Sequence, residues 1–139
     1  MALTIGPRLQ GFFDEKLAAI LTTLNGKNNP EMTPVWYEFR DGHIWLNGDK
    51  TRIWLKRMEE TGRVTFFVMD PANLWRWAQV YGKVVEASED PGGDHINSLS
   101  HRYNGREYPG DRRTRRWLKV EITSVKGADG NREIKWDVA

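Results

Sequence analysis

The stretch that decides the fold covers residues 32–47 and reads MTPVWYEFRDGHIWLN. Val35, Tyr37 and Phe39 alternate with polar or bulky neighbours, so in an extended chain they lie on one face. Asp41-Gly42 is a strong signal for a tight hairpin turn, and a second alternating run follows it. The pattern predicts a strand over residues 32–40 that returns antiparallel over residues 43–47.

The remaining sequence supplies more strands than helices. We expect helices over residues 12–21, 51–61 and 94–103, and further strands over residues 20–24, 63–69, 75–85, 115–123 and 133–137. Tight turns separate most of these segments, and no alternation of strands with long helices is present. The sequence therefore predicts a mainly β fold, an antiparallel barrel or sheet with short helices over its openings.

Composition limits the class of protein. The chain has 139 residues, 39% of them hydrophobic, which suits one domain over residues 1–139. Because cysteine is absent, disulfides, thiolate metal sites and thiol nucleophiles are excluded. No apolar run reaches the ~20 residues that span a bilayer. The first residues lack the order of a signal peptide, and we expect a cytoplasmic protein.

Most catalytic signatures are missing. No glycine-rich phosphate loop is present, and no serine or threonine has a neighbouring acid/base pattern. His43, His95 and His101 are too far apart in sequence to suggest a shared metal. We therefore expect no metal site, and any redox chemistry would come from an organic cofactor.

Positive charge is concentrated near the C-terminus. Residues 1–100 hold 11 Lys and Arg against 13 Asp and Glu, whereas residues 101–139 hold 10 against 6. The segment Arg112–Arg116 could bind nucleic acid, acidic lipid or a polyanionic cofactor tail. Its acidic neighbours Glu107 and Asp111, and the lack of a repeated basic and aromatic pattern, disfavour nucleic acid.

Two clusters could form a binding site. Trp75, Trp77 and Gln79 share one face of a predicted strand, where they could fill a barrel or dimer interface or stack on a planar ligand. The second cluster, residues 50–57, surrounds the start of a predicted helix. Its cations either face solvent or join the helix N-terminus in a phosphate site.

Six segments in order resemble one family. They are residues 17–25 (LAAILTTLN), 33–37 (TPVWY), 41–47 (DGHIWLN), 52–64 (RIWLKRMEETGRV), 80–84 (VYGKV) and 102–105 (RYNG). Together they resemble the flavin/deazaflavin oxidoreductases, relatives of pyridoxamine-phosphate oxidase with an FMN-binding split barrel. The sequence is most similar to the branch that uses the deazaflavin coenzyme F420 in place of FMN.

The resemblance implies a homodimer with cofactor sites at the subunit interface. Its implied activity is hydride transfer between reduced F420, or FMN, and a small electron-poor substrate such as an activated alkene. A non-catalytic carrier, or an FMN- or tetrapyrrole-binding protein of the same fold, is the alternative. The implied cofactor-binding residues are Thr33, Pro34, Val35, Trp36, Lys50, Thr51, Arg52, Lys56, Arg57, Trp75, Arg76, Trp77, Gln79, Arg113 and Arg116.

The sequence departs from the family pattern at the basic helix. Trp54 stands where the family usually has a lysine, and residues 56–62 replace its Arg-Asn-Leu-x-x-Asp-Pro pattern. This departure implies a phosphate site centred on Lys50 and Arg52, or a different cofactor.

Overall fold

The computed structural model describes residues 3–139. The elements are α1 (Pro7–Phe13), β1 (Ala19–Leu24), β2 (Pro30–Val35), β3 (Tyr37–Arg40), β4 (His43–Asp49), α2 (Ile53–Thr61), β5 (Arg63–Asp70), β6 (Asn73–Glu89), a 3₁₀ turn (Pro91–Gly93), α3 (Asp94–Asn104) and β7 (Arg115–Asp129). No helix within this part of the chain is long and apolar enough to cross a membrane.

All seven strands form one curled antiparallel sheet. Their order is β2-β1-β5-β6-β7-β4-β3, and the long strands β6 and β7 pair along most of their length. Shifts of register after Tyr81 and Val84 bend this pair, as bulges do in strongly curved sheets. The arrangement confirms the predicted mainly β fold with a few short helices.

The core occupies the concave side of the sheet. The predicted alternation is confirmed, because Tyr37, Ile44 and Leu46 are completely buried. On the central strands, Phe66 and Val80 point to the same side and are also completely buried. Such burial of apolar surface is the main favourable contribution to folding.

The three helices cover the openings of the sheet. From α1, Phe12 is buried and stacks on Trp136, with ring centroids 4.9 Å apart. From α2, Leu55 and Met58 enter the core, and from α3, Leu99 is buried. Each helix therefore contributes one apolar face, as the sequence predicted for short covering helices.

Three of the sequence predictions for individual elements are wrong. The helix predicted over residues 12–21 ends at Phe13, and β1 begins at Ala19. The spacing of apolar residues was misleading there, because the burial of β1 alternates with period two. The strand predicted over residues 32–40 is divided at Trp36.

The third error lies at the C-terminus. Residues 133–137 form no strand, and an isolated bridge joins Ile5 to Val138 instead. The strand predicted over residues 115–123 is longer than expected, since β7 continues to Asp129. Trp136 explains the non-strand path, because its indole N–H donates to the Trp77 carbonyl at 2.8 Å and its ring is buried against α1.

Gly82 provides a test of the packing between β6 and β7. A Cβ atom there would lie 2.4 Å from Cγ1 of Val120, so Gly82→Ala should lower the free energy of unfolding by about 1–3 kcal/mol through overpacking. Chemical denaturation measures this. The matched control is Gly11→Ala in α1, where a Cβ meets nothing within 4 Å and the change should be neutral or stabilising by up to ~1 kcal/mol. Equal effects of the two substitutions would contradict the packing argument.

Candidate functional site

A cleft of about 530 Å³ opens between the edge of the sheet and the helices α2 and α3. It is lined by Ala18, Thr33, Pro34, Val35, Trp36, Asn47, Gly48, Asp49, Arg52, Trp54, Ile96, Leu99, Tyr108 and Arg115. One wall is apolar and one end carries two guanidinium groups. Such a combination of apolar surface and a few directed polar groups is typical of ligand sites.

The division of the strand at Trp36 forms one wall of the cleft. The Trp36 ring stacks on Tyr103 of α3, with centroids 5.3 Å apart and an interplanar angle of 8°. The Tyr103 hydroxyl donates to the Leu17 carbonyl at 2.8 Å and accepts from the Tyr37 backbone N–H at 3.3 Å. Burial raises the pKa of Tyr103, so its hydroxyl stays protonated as a donor. The aromatic wall is therefore held by hydrogen bonds rather than by the sheet.

The link from β4 to α2 is organised by Asp49. Its carboxylate accepts hydrogen bonds from the Thr114 hydroxyl at 2.6 Å, the Thr51 backbone N–H at 2.9 Å and the Thr51 hydroxyl at 2.7 Å. These bonds, led by the one from Thr114, lower the pKa of Asp49 to about 2. Asp49 is thus ionised at neutral pH and cannot serve as a general acid there.

The first turn of α2 faces the same end of the cleft. No side chain caps this helix, and Arg52 is its N-cap residue, so N–H groups of the first turn remain available to an acceptor. Gly48 lets the helix come close, because a Cβ there would lie 2.7 Å from the Trp54 ring. The close approach places Trp54 and Arg52 at the cleft.

Arg115 enters the cleft from the first residue of β7. Its Nε donates to Oδ1 of Asn47 at 2.9 Å, and its guanidinium lies 5.4 Å from the centroid of the Tyr108 ring. Within residues 3–139 it forms no salt bridge. Burial is the main cause that lowers the pKa of the Arg115 guanidinium, although arginine remains charged in proteins.

A chain of hydrogen bonds continues from Asn47 away from the cleft. Its Nδ2 lies 3.0 Å from Oδ2 of Asp90 and 2.9 Å from Nδ1 of His95. The other ring nitrogen of His95 lies 3.0 Å from Oε1 of Glu38. Burial raises the pKa of Glu38, but the hydrogen bond with His95 and nearby positive charge outweigh it, and the pKa is lowered overall.

Five of the residues predicted for the site line this cleft together. They are Thr33, Pro34, Val35, Trp36 and Arg52. Thr51 lines a shallow hollow that also contains Arg52 and Arg115, and Lys50 lines an adjoining one. These seven residues are thus at the cleft or at its margin.

Four predicted cations do not line the cleft itself, although Arg113 and Arg116 line the same adjoining hollow as Lys50. Arg57, Arg113 and Arg116 form salt bridges with Glu31 at 2.6 Å, Asp111 at 2.8 Å and Glu59 at 2.7 Å respectively. Lys56 lies on the exposed side of α2. The cofactor role assigned to these residues stays a prediction, and it would require them to exchange or extend their present contacts.

The predicted residues of β6 also lie away from the cleft. Trp75, Trp77 and Gln79 share the outer face of the sheet, with Trp75 62% exposed. Arg76 lies on the opposite face, in salt bridges with Glu15, Asp70 and Asp129. Within one copy of the chain they do not meet the other predicted site residues.

The sequence predictions for the site omitted four lining residues with evident chemistry, which are Asn47, Asp49, Tyr108 and Arg115. Asn47 ends the segment 41–47 that resembles the family but was not assigned to the site, and Tyr108 comes from a loop without a recognisable motif. Arg115 was considered within the basic segment, but the side of β7 that faces the cleft was not assigned. Strand alternation signals that Arg115 and Arg116 face opposite ways, and only the packing shows which one enters the cleft.

Comparison with known proteins agrees with this fold. Residues 5–128 match the model of the pyridoxamine 5'-phosphate oxidase family. The chain therefore belongs to this family, whose split-barrel fold was expected from the resemblance. No curated protein matches the sequence significantly.

Solved structures share the same fold at low identity. An F420 reductase is 24% identical with a TM-score of 0.77, covering 84% of this chain and 94% of its own. A conserved hypothetical protein from Mycobacterium tuberculosis is 20% identical with a TM-score of 0.68, and the match covers 98% of this chain and 87% of that protein. An FAD-binding protein from Mesorhizobium loti is 17% identical with a TM-score of 0.60, covering 90% and 96%.

The hydrogen bonds of Asp49 lead to a prediction about acid stability. Because the folded pKa is about 2, below the ordinary 3.8, ionised Asp49 stabilises the fold above about pH 4, and this contribution is lost as the pH falls toward 2. Asp49→Asn should lower the free energy of unfolding by about 1 kcal/mol at pH 7. The gap to the unsubstituted protein should narrow below pH 4.

Urea denaturation between pH 7 and pH 3 measures this gap. Asp14→Asn is the control, since the Asp14 side chain is exposed and forms no hydrogen bond among residues 3–139. A gap for Asp49→Asn that stays constant down to pH 3 would show that the carboxylate is not stabilised by the bonds described.

Proposed function

We propose that this protein binds a flavin-type cofactor in the cleft, coenzyme F420 in the first place and FMN as the alternative. The observation that carries the proposal is the pairing of an apolar wall with two guanidinium groups, Arg52 and Arg115, that have no carboxylate partner in the part of the chain that the structure describes. A flavin or deazaflavin has the matching form, a planar ring joined to an anionic tail. The similarity to an F420 reductase supports F420 as the first candidate and FMN as the second.

The ring would lie along residues 33–36 and the phosphate at the start of α2. Val35 and Trp36 offer apolar and aromatic surface to a planar group. Arg52, Thr51 and the free N–H groups of the first helical turn offer donors to a phosphate. Lys50 at the margin adds positive charge. This arrangement matches the expectation that the anion site is centred on Lys50 and Arg52.

The proposed activity is hydride exchange between the cofactor and a small electron-poor organic substrate. The bound cofactor would supply the hydride chemistry, while the protein supplies position and electrostatics. The chain's own residues bind the tail, orient the ring and shield one side of the cleft from water. Asp49 stays ionised, so no lining carboxylate donates a proton at neutral pH.

A carrier that binds the cofactor without reaction is the second candidate. The ionised state of Asp49 favours it, because the cleft then offers hydroxyl groups but no acid adapted to proton transfer. Tetrapyrrole binding on the same fold is a further alternative that the experiment below distinguishes.

We also propose that the protein acts as a homodimer through the outer face of the sheet. Ile20, Met69 and Trp75 are 36%, 38% and 62% exposed, and Phe67 and Trp77 lie between them with ring centroids 5.5 Å apart. A contiguous apolar face of this kind marks an interaction surface. A second copy of the chain is the occupant because the family resemblance implies a dimer.

The dimer would bring the predicted residues of β6 near a cleft. Pro34 pairs with Ile20 in the sheet and therefore shares its outer face, and Pro34 also lines the cleft. A partner bound on this face would lie at the margin of the cleft. Its Trp75, Trp77 and Gln79 could then contribute to the site, as the sequence predicted.

Cofactor binding is tested by titrating the protein with F420, FMN and haem while following tryptophan fluorescence. Trp36 and Trp54 line the cleft, so a bound chromophore should quench their emission. Replacing Lys50 and Arg52 together by Ala should weaken F420 binding at least tenfold, since charge-assisted hydrogen bonds contribute ~1.5–3 kcal/mol each. The control replaces Lys27 and Arg132, two exposed cations away from the cleft, by Ala.

The outcomes separate the candidates. Absence of quenching by all three cofactors would overturn the proposal, and unchanged affinity in the double variant would overturn the assigned phosphate site. Oxidation of reduced F420 by an enone would favour the enzyme. Binding without turnover across a panel of substrates would favour the carrier.

The dimer is tested by placing charge on the apolar face. Met69→Lys should convert a dimer to a monomer in analytical ultracentrifugation, because a buried unpaired ammonium opposes association. Ile134→Lys is the control, since Ile134 is 45% exposed and lies outside the sheet. A monomeric unsubstituted protein at micromolar concentration would contradict the proposal.

A further inference from the structure

The hydrogen bonds around Asn47 have a fixed direction. The carboxylate of Asp90 can only accept, so it requires the Asn47 amide nitrogen, Nδ2, at 3.0 Å. The Nε–H of Arg115 can only donate, so it requires the amide oxygen at 2.9 Å. Turning the amide over would oppose oxygen to carboxylate and N–H to N–H. The amide of Asn47 therefore has one orientation, which is fixed by Asp90 on one side and by Arg115 on the other.

His95 takes its tautomer from the same chain. Nδ2 of Asn47 donates to Nδ1 of His95 at 2.9 Å, so Nδ1 carries no proton. Nε2 is then the protonated nitrogen and donates to Glu38 at 3.0 Å. Asp90 is fixed in turn by the backbone N–H groups of His95 and Ile96, at 2.9 and 3.0 Å. A buried relay thus runs from α3 to the edge of the cleft.

The relay ends on a cation without a counter-ion. Arg115 uses its Nε for Asn47, and its four terminal N–H groups have no acceptor within residues 3–139. The nearby carboxylates form their hydrogen bonds elsewhere: Asp49 with two threonines, Asp111 with Arg113, and Asp90 with Asn47 and the start of α3. Asp49 and Asp90 act on Arg115 only through their charge, without contact. The Tyr108 ring faces the guanidinium at 5.4 Å. Geometry and charge leave the planar edge of Arg115 for a ligand.

The neighbouring arginines show that the lack of a carboxylate partner is specific to Arg115. Arg112, Arg113 and Arg116 each have a carboxylate partner, at 2.9, 2.8 and 2.7 Å. Among the four arginines of this segment, Arg115 is therefore the one that has no carboxylate partner within residues 3–139. Holding a cation in a half-buried position without a contacting carboxylate is costly in the free protein, and a bound anion would offset this cost.

We propose that Arg115 is the specificity-determining residue of the cleft, that it receives an oxyanion of the ligand in a paired hydrogen bond, and that Asn47 and His95 are its positioning residues. Arginine offers parallel N–H groups that match a carboxylate or phosphate. Assigning this oxyanion to the phosphate of the cofactor rests on the proposed function. A carboxylate of the substrate is the other source, and the experiments below separate the two.

The first experiment uses inorganic phosphate and acetate as probes, without any cofactor. The Nε–H of Arg115 is hydrogen-bonded, so its side-chain signal is accessible to nitrogen-15 NMR. Phosphate or acetate should shift this signal in a saturable manner. The signal of Arg102, whose Nε donates to the Tyr37 carbonyl at 3.0 Å, is the internal control. An Arg115 signal that does not respond to either anion overturns the proposal.

The second experiment compares FMN with riboflavin, which lacks only the phosphate. Arg115→Met should reduce the preference for FMN at least tenfold, whereas Arg132→Met should leave it unchanged. An unchanged preference, together with an Arg115 signal that responds to acetate, assigns the oxyanion to the substrate. A phosphate-induced shift without binding of FMN, riboflavin or F420 would support the role of Arg115 and refute the proposed function.

The positioning role is tested at His95. His95→Asn keeps an acceptor close to the position of Nδ1, whereas His95→Leu removes it. The leucine variant should weaken the response of Arg115 to phosphate severalfold, and the asparagine variant should restore most of it. If His95→Leu does not fold, Arg115→Lys takes its place. This variant keeps the positive charge but loses the hydrogen bond to Asn47. It should reduce the preference for FMN over riboflavin severalfold. An unweakened response in these variants overturns the positioning role.

Discussion

A single guanidinium group, that of Arg102, connects three parts of the fold. It donates to the Tyr37 carbonyl at 3.0 Å, to the Phe13 carbonyl at 2.9 Å and to the Glu15 carbonyl at 2.8 Å. Tyr37 belongs to β3, Phe13 is the last residue of α1, and Glu15 lies two residues beyond it. Carbonyls at a helix C-terminus lack internal partners and attract a cation. Tyr103 beside it holds Trp36 by stacking. The wall of the cleft therefore depends on α3 being anchored by Arg102.

The positive charge that this protein can offer to a ligand depends on which arginines lack a carboxylate partner, more than on the number of arginines. The basic segment at the start of β7 would form a strongly positive surface if its side chains were free. Three of its arginines are instead neutralised by carboxylates. Within this segment, Arg115 alone points its charge into the cleft, where it joins Arg52 and the apolar surroundings strengthen any interaction with an anion. The small net charge of the chain thus conceals one local cation with a defined direction.

The sequence predicted the parts of the structure that local periodicity controls. The alternation at Val35, Tyr37, Ile44 and Leu46 identified the core face, because period-two burial is a direct property of strands. The spacing before β1 was misread as helical, since short apolar runs fit both periods. The break at Trp36 was not foreseeable, because stacking on Tyr103 depends on a residue far away in the chain.

The candidate site was predictable to the same limited degree. Residues 33–36 and Arg52 do meet in one cleft, and the ordered resemblance to the family was the signal that found them. The sequence could not decide between Arg115 and Arg116, because alternation separates two faces without naming the inner one. The sequence also could not show whether Trp75 and Trp77 lie near a cleft. In the proposed dimer their neighbours would include residues of a second chain, which the pattern within one chain does not reveal.

The unpaired state of Arg115 also has a cost and a consequence for evolution. A carboxylate introduced opposite it would relieve the burial of a lone cation, and the fold would become more stable. The same change would fill the position that an oxyanion would take. Selection for stability and selection for binding therefore oppose each other at this position. In solution, any anion that binds Arg115 should raise the thermal stability of the protein, because a ligand that binds only the folded state shifts the folding equilibrium.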